Sequence, residues 1–336
     1  MCLNKTEAVK NRGIKIIGTG SCVPPFSVTN DDLAKFLDTS NEWIFSRTGI
    51  KTRHYSNGTM NYEMASEAAR NALENAALSA LDIDYIIVST CTPDYLYPIT
   101  ACLVQKEIGA ENAACIDINA ACTGFVKGLE MARALLNGGG YDKILLVASE
   151  NLTPQVDFTD RTSCILFGDG AGAVVLERGD KIFASHMKAK GVKAENPVLF
   201  YKIGYECNSP FTQTNDIERP SDYLQMDGKE VYKFAVEAMP EAAKAACEKS
   251  GLAVDEIDLF IPHQANIRIV QTAAKSLGVS MDKIYMNIET RGNTSSACMP
   301  TCLDELNKAG RLKEGMKLCF VGFGAGLTYG AVVLEL

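Results

Sequence analysis

The hexapeptide Gly-Ala-Val-Val-Leu-Glu occurs twice, at Gly172–Glu177 and at Gly330–Glu335. A repeat at such long range constrains the fold more than any local pattern, because it implies two copies of one supersecondary arrangement. Other anchors agree. Ile83-Asp84 before YIIVS is matched by Ile257-Asp258 before LFIP, an offset of 174. The same offset lays Glu67-Ala68-Ala69 on Glu241-Ala242-Ala243, and Lys143 on Lys317. The GAVVLE copies are 158 apart, so the first half carries about sixteen extra residues between Ser149 and Gly170.

Within each half, strands alternate with helices. Ile14–Thr19, Tyr85–Ser89, Ala114–Ile118, Ile144–Val147 and Gly172–Leu176 read as short apolar strands. Residues 62–79 are rich in Ala and Glu and read as a helix. From Cys122, apolar residues recur at Phe125, Leu129, Ala132 and Leu136, a helix stopped by Asn137-Gly138-Gly139-Gly140. The alternation predicts an α/β fold around largely buried sheets. A chain of 336 residues suits two packed halves, 1–179 and 180–336, with the seam at the polar ERGDK of 177–181. Ala189–Asp227 lacks periodicity and reads as an extended loop forming a lid or wall over one face.

The net charge of −8 argues against non-specific nucleic-acid binding, which needs a basic surface. No apolar run approaches the eighteen or so residues of a membrane span, and Met1–Arg12 has no apolar stretch of the secretory type. Twelve cysteines in such a chain read as reduced thiols of a cytoplasmic protein. Cys298 and Cys302 share a helical spacing, but no His or second pair joins them, so no metal is expected.

The repeat also brings chemistry together. Cys122 follows a strand and opens a helix, where the dipole stabilises thiolate and lowers the thiol pKa. His263 falls on Ser89 at the offset of 174, and Asn293 precedes the helix that matches the one opened by Cys122. All three are expected just after strands leading into helices, where open α/β sheets build sites. Each has an ordinary structural reading: a small buried hydrophobe, a helix-capping histidine, a turn asparagine. His54 and His186 lack comparable surroundings. Gly322-Phe323-Gly324-Ala325-Gly326 lacks a GK[ST] ending and reads as close backbone approach, with amides turned toward a carbonyl oxygen. Phe167–Gly172 reads as tight packing beside the same centre.

At these residues the chain resembles the β-ketoacyl-acyl carrier protein synthase III family. The resemblance rests on GTGSCVP at 18–24, DTSNEWIFSRTGI at 38–50, INAACTGF at 118–125, FGDGAGAVVLE at 167–177, PHQANIRI at 262–269 and GNTSSA at 292–297. It implies a thiolase-like fold, a duplicated five-layer αβαβα arrangement, and a homodimer. It implies acylation of Cys122 by an acyl-CoA, followed by decarboxylative condensation with malonyl-carrier protein, with His263 and Asn293 completing a catalytic triad. Backbone amides of Cys122 and Ala325 would form the oxyanion hole. Trp43, Arg47 and Arg161 match positions that hold CoA, Asn266 one near the pantetheine arm, and Lys233, Arg268 and Lys275 the basic patch for the carrier protein. Tyr97 matches a residue that closes the partner's acyl pocket. No cofactor is implied; acyl-CoA is a substrate.

Three residues depart from the family pattern. Ala325 stands in place of a Gly, Thr162 in place of a common Gly, and Arg291 in place of an aromatic or His. A specialised relative in secondary metabolism is the nearest alternative. A thiolase would need a second Cys in 322–326, and an HMG-CoA synthase-like enzyme a first-half Glu, for which Glu67 and Glu107 are candidates.

Overall fold

A computed structural model describes residues 13–192, 198–200 and 223–336. The first half begins with β1 (Gly13–Cys22), β2 (Phe26–Thr29), α1 (Asn30–Leu33), α2 (Asn41–Thr48) and β3 (Thr52–Tyr55). There follow α3 (Asn61–Asn75), β4 (Tyr85–Ser89), α4 (Thr100–Ile108), β5 (Ala114–Ile118), α5 (Gly124–Asn137), β6 (Lys143–Glu150) and β7 (Gly170–Gly179). The second half has β8 (Phe183–Ala189), β9 (Leu199–Phe200), β10 (Gln225–Met226), α6 (Gly228–Ser250), β11 (Leu259–Pro262) and α7 (Ile267–Leu277). It ends with α8 (Ile288–Arg291), α9 (Cys298–Lys308), β12 (Lys317–Gly324) and β13 (Thr328–Glu335).

The period-2 alternation of the strands sets the layers. In β6, Ile144, Leu146 and Ala148 bury on one face, Leu145 and Val147 on the other. The first set packs on Phe125, Leu129 and Leu136 of α5, the second on Ala65, Ala69 and Ala72 of α3. In β12, Leu318 and Phe320 meet the same central core, while Cys319 and Val321 face Ala242, Ala246 and Cys247 of α6. Both sheets are therefore covered on both faces, which is why their strands read as unbroken apolar runs. The order is α3/α4, first sheet, α5/α9, second sheet, α6/α7: the five layers αβαβα.

The first sheet runs β1-β7-β6-β4-β5 and the second β11-β12-β13-β8. β4 pairs in parallel with β5 and β6, and β11 in parallel with β12. The offset of 174 lays β6 on β12 and the start of β4 on that of β11, while 158 lays the start of β7 on that of β13. The extra residues lie between β6 and β7, as expected. The fifth strand has no full counterpart in the second sheet, only an isolated bridge between Phe260 and Ile284. Two boundaries move. The helix read at 62–79 ends at Asn75, and Cys122 sits in a 3-10 turn, Ala121–Thr123, ahead of α5. Most of the loop read at 189–227 lies outside the described residues; Leu199 and Phe200 pair with Gln225 and Met226.

Candidate active site

The turn that carries Cys122 is held in an uncommon conformation. Ala121 has φ 45°, in the left-handed region that costs a non-glycine residue about 1–2 kcal/mol. Its counterpart 174 residues on, Ser295, has φ 50° and precedes α9 in the same way. Thr123 fixes the turn by donating from Oγ1 to Ala120 O at 2.7 Å. Gly324 of β12 backs against it: a Cβ there would lie 2.9 Å from the Cys122 nitrogen and 3.2 Å from its Cβ. The Gly-rich segment thus does provide close backbone approach, and Gly168 does the same for packing, since a Cβ there would lie 2.6 Å from Arg291 O.

His263 follows β11, its N–H donating to Val321 O at 2.8 Å. Its Nδ1 faces Cys298 Sγ at 3.2 Å and its ring meets Phe323 edge-on at 5.5 Å, which leaves Nε2 as the nitrogen for the cavity. Asn293 does not follow a sheet strand, contrary to expectation. The second sheet is reduced here to its single bridge, and the short helix α8 ends at Gly292 (φ 68°) to deliver Asn293 instead. Asn293 is tied to the FGDG segment by its N–H to Leu166 O (2.8 Å) and its O from Gly168 N–H (3.0 Å). Its Oδ1 accepts from Ser295 N–H at 2.9 Å, so its amide NH₂ is the group it can offer a ligand.

Burial governs the electrostatics. Loss of solvation pushes the Cys122 thiol up to about 12 and draws His263 down to about 4. The expected lowering of the thiol is overturned: desolvation outweighs what the Ser295 side chain and the Cys122 backbone return, and the charge of Glu150 adds to it. Both groups rest neutral.

Two cavities meet at Cys122. One, about 270 Å³, runs past Trp43, Arg47, Asn266 and Phe323 to Cys122, with His263 and Asn293 in its wall. The other, about 300 Å³, is bounded by Cys91, Leu152, Gln155, Leu224 and Ala325 as well as Cys122. Leu199 contributes to both.

The family model described as 3-Oxoacyl-[acyl-carrier-protein (ACP)] synthase III matches residues 116–191, and that of its C terminal matches 247–336. The beta-ketoacyl-[acyl-carrier-protein] synthase III of Clostridium acetobutylicum is 45% identical over 324 residues, 96% of this chain and 98% of that one. The chain belongs to the β-ketoacyl-acyl carrier protein synthase III family. The 3-oxoacyl-[acyl-carrier-protein] synthase III of Aquifex aeolicus superposes with a TM-score of 0.88 at 40% identity, over 96% of this chain and 100% of that one. The priming beta-ketosynthase of the R1128 polyketide biosynthetic pathway gives 0.87 at 35% identity, covering 97% of each chain. The thiolase-like architecture is that of these synthases.

The outer residues implied by the family resemblance are placed as follows. Trp43, on α2, has the Arg47 guanidinium 4.3 Å and the Arg161 guanidinium 5.2 Å from its ring centre. Asn266 caps α7, its Oδ1 accepting from Arg268 N–H at 2.8 Å. Of the three cations, Lys233 is paired with Glu230 at 2.5 Å and Arg268 donates to Ser46 O at 2.9 and 3.2 Å. Lys275 lies exposed in the last turn of α7. Tyr97 is 85% exposed beside Tyr95 and Leu96. Thr162 lines the first cavity and donates to Asp160, Ala325 lines the second, and Arg291 pairs with Glu305 at 3.0 Å.

Glu150 is the residue that the sequence reading missed. Glu67 and Glu107 are paired with Arg70 at the surface, whereas Glu150 is fully buried next to Cys122. An acid ending the apolar run ILLVAS, opposite Gly324 in the repeat, was its sequence signal. No group of three or more His, Cys, Asp or Glu able to hold a metal occurs among the described residues.

Proposed function

We propose that this chain carries out its family's decarboxylative Claisen condensation with the acyl group borne on Cys122, joining an acyl-CoA primer to malonyl-acyl carrier protein. One observation supports this above all: Cys122 lines both cavities, while His263 and Asn293 stand in the wall of only one. A thioester can thus approach along the first cavity while the acyl chain it leaves is stored in the second. Attack by sulfur on the primer carbonyl gives the acyl-enzyme and releases CoA. Malonyl-carrier protein then follows the same route and loses CO₂. His263 Nε2 and the Asn293 amide donate to its thioester oxygen, stabilising the enolate, whose carbon attacks the acyl group. For Nε2 to donate, Nδ1 must be the unprotonated nitrogen; it faces the Cys298 sulfur at 3.2 Å, whose own S–H donates to Ser295 O at 2.9 Å. Amides of Cys122 and Ala325 hold the oxyanion.

In this reading the half 1–179 supplies the nucleophile and 180–336 supplies His263 and Asn293. Trp43, Arg47, Arg161 and Asn266 receive CoA, its adenine entering where the two arginines now lie against the indole. Lys233, Arg268 and Lys275 meet the acidic carrier, a local complement to a chain of net charge −8. The reaction uses no cofactor, and the enzyme is a cytoplasmic homodimer. No helix among the described residues is long and apolar enough to cross a membrane.

Incubation with acetyl-CoA should place one acyl group on the peptide carrying Cys122, read by mass spectrometry, and Cys122→Ser should abolish it. His263→Ala and Asn293→Ala should each lose decarboxylation by roughly 10²–10³ while still forming acyl-enzyme. No adduct with any primer sinks the reading. The likeness to a polyketide priming synthase favours, as second reading, a role in secondary metabolism; a panel of straight and branched acyl-CoAs, scored by CO₂ release, separates the two.

A further inference from the structure

Glu150 ends β6 fully buried, and among the described residues no lysine or arginine pairs with it. A charge in such a place is held by hydrogen bonds. Its Oε1 accepts from Ser295 Oγ (3.0 Å) and Ser296 Oγ (2.9 Å). Its Oε2 accepts from Cys91 N–H (3.0 Å), Cys91 Sγ (3.2 Å) and Thr92 Oγ1 (2.9 Å). Ser295 lines the same cavity as Cys122 and Cys91, and its side chain acts to lower the Cys122 thiol against the effect of burial. A hydroxyl has one hydrogen and two lone pairs. Given to Glu150, that hydrogen leaves Ser295 Oγ free to accept the Cys122 S–H.

We propose that Ser295 and Glu150 form a proton relay that activates Cys122. The S–H bond of Cys122 breaks as its proton passes to Ser295 Oγ, and the proton already on Ser295 passes to Glu150 Oε1. The sulfur electron pair forms the bond to the thioester carbonyl carbon. When the carbon–sulfur bond to CoA breaks, the departing thiolate takes up the proton, returned through the same hydroxyl, and the carboxylate is restored. Acyl-enzyme and free CoA thiol balance the step, with no further reactant.

The electrostatics agree. Burial raises Glu150 as well as Cys122, so the acceptor is more basic than an ordinary carboxylate. The titratable groups facing it are Cys91, after β4, and Cys122, before α5; the α9 end contributes the two serines. Asp169, beside its strand partner Gly170, is engaged by Ser56, Leu152 and Thr153. His263 is otherwise engaged: its Nδ1 faces Cys298, and its Nε2 is the donor to the enolate oxygen.

This rests on Cys122 as the acylated nucleophile, which the acetyl-CoA adduct on the unaltered chain tests separately. The relay is tested without any acyl substrate, by the pH profile of Cys122 alkylation with iodoacetamide on the full chain. Glu150→Gln should slow alkylation at neutral pH by at least about tenfold, within the range of general-base effects, and displace the profile to higher pH. Ser295→Ala should do the same, and Glu150→Asp should restore part of the loss. Decarboxylation of malonyl-carrier protein should change by less than about threefold, because Asn293 is held by the Ser295 backbone and not its hydroxyl. Were Glu150 only a buried charge, Glu150→Gln would relieve its repulsion of thiolate, speed alkylation and move the profile down. That outcome, or an unchanged Ser295→Ala, overturns the proposal. If Glu150→Gln does not fold, Glu150→Asp decides: the withdrawn carboxylate should slow alkylation and move the profile to higher pH, and a rate equal to or above that of the unaltered chain overturns the proposal.

Discussion

Burial sets Cys122 near 12 and His263 near 4, so a thiolate–imidazolium pair is not their resting state: each would carry its charge without water. A neutral imidazole suits a donor to an enolate oxygen, since the electrons for bond formation come from the departing carboxylate. The same neutrality has a cost in acid. The unfolded chain takes up the His263 proton near 6.5, the folded chain only near 4. Between those values the unfolded state holds more protons, so stability rises with pH across the window and is lost as pH falls through it. The loss on reaching pH 4 is about 3 kcal/mol. Denaturant unfolding of the unaltered chain and of His263→Gln, at pH 7 and pH 4.5, measures this term. The unaltered chain should lose more stability than the variant; equal losses would mean that His263 is not buried neutral.

Between residue and molecule stands the element, and here the duplication does the positioning. The turns Ala121–Thr123 and Ser295–Ala297 lie 174 residues apart, each with a strained residue and each opening a central helix. Cys122, His263 and Asn293 correspond to Ser296, Ser89 and Asn119, so each half gives the reactive centre what the other half lacks, Cys122 from the first and His263 and Asn293 from the second. Asn119 keeps a long version of the contact that Asn293 makes: its Oδ1 lies 3.5 Å from the Ala121 nitrogen, against 2.9 Å for Asn293 and Ser295. β12 completes the site by bringing Gly324 against the Cys122 turn. Gly324→Ala should therefore push that turn off its oxyanion geometry, lowering acylation by at least roughly 10² and stability by about 1–3 kcal/mol. Stopped-flow release of CoA and urea unfolding measure the two effects, and an acylation rate within about twofold of the unaltered chain would remove the close approach from the mechanism. Much of this was legible in advance. Short apolar runs such as ILLV and LCFV read as strands covered on both faces, and the common offset fixed which strands correspond. What periodicity could not show was long-range polar pairing: Asp94 capping α3 from 33 residues away, or Glu150 reaching Ser295 across 145. Nor does a motif announce the net effect of burial on a thiol, which depends on how many elements close over it.

At the scale of the whole molecule, an edge strand of the first sheet and an exposed apolar stretch bear on how the chain associates. β5 is the last strand of the first sheet, bonded only to β4, and Tyr95, Leu96 and Tyr97 are 48, 53 and 85% exposed just beyond the end of β4. Edge strands and exposed apolar groups of this kind are commonly covered by association. In the homodimer of the proposed reading, Tyr97 crosses to the partner and closes its acyl cavity, so that each site draws on two chains. Tyr97→Ala should then alter the preference between short and longer primers by roughly tenfold, the scale on which a pocket discriminates small differences in apolar size. Mixing subunits tests whether the effect acts across the interface. A hybrid of Tyr97→Ala with Cys122→Ser has one reactive thiol, on the Tyr97→Ala chain, and receives an intact Tyr97 from its partner. With Cys122→Ser in excess, the primer preference should therefore return to that of the unaltered enzyme as hybrids form. If native mass spectrometry shows the hybrids and the altered preference persists at every ratio, Tyr97 acts within its own chain, and the second cavity is closed without the partner.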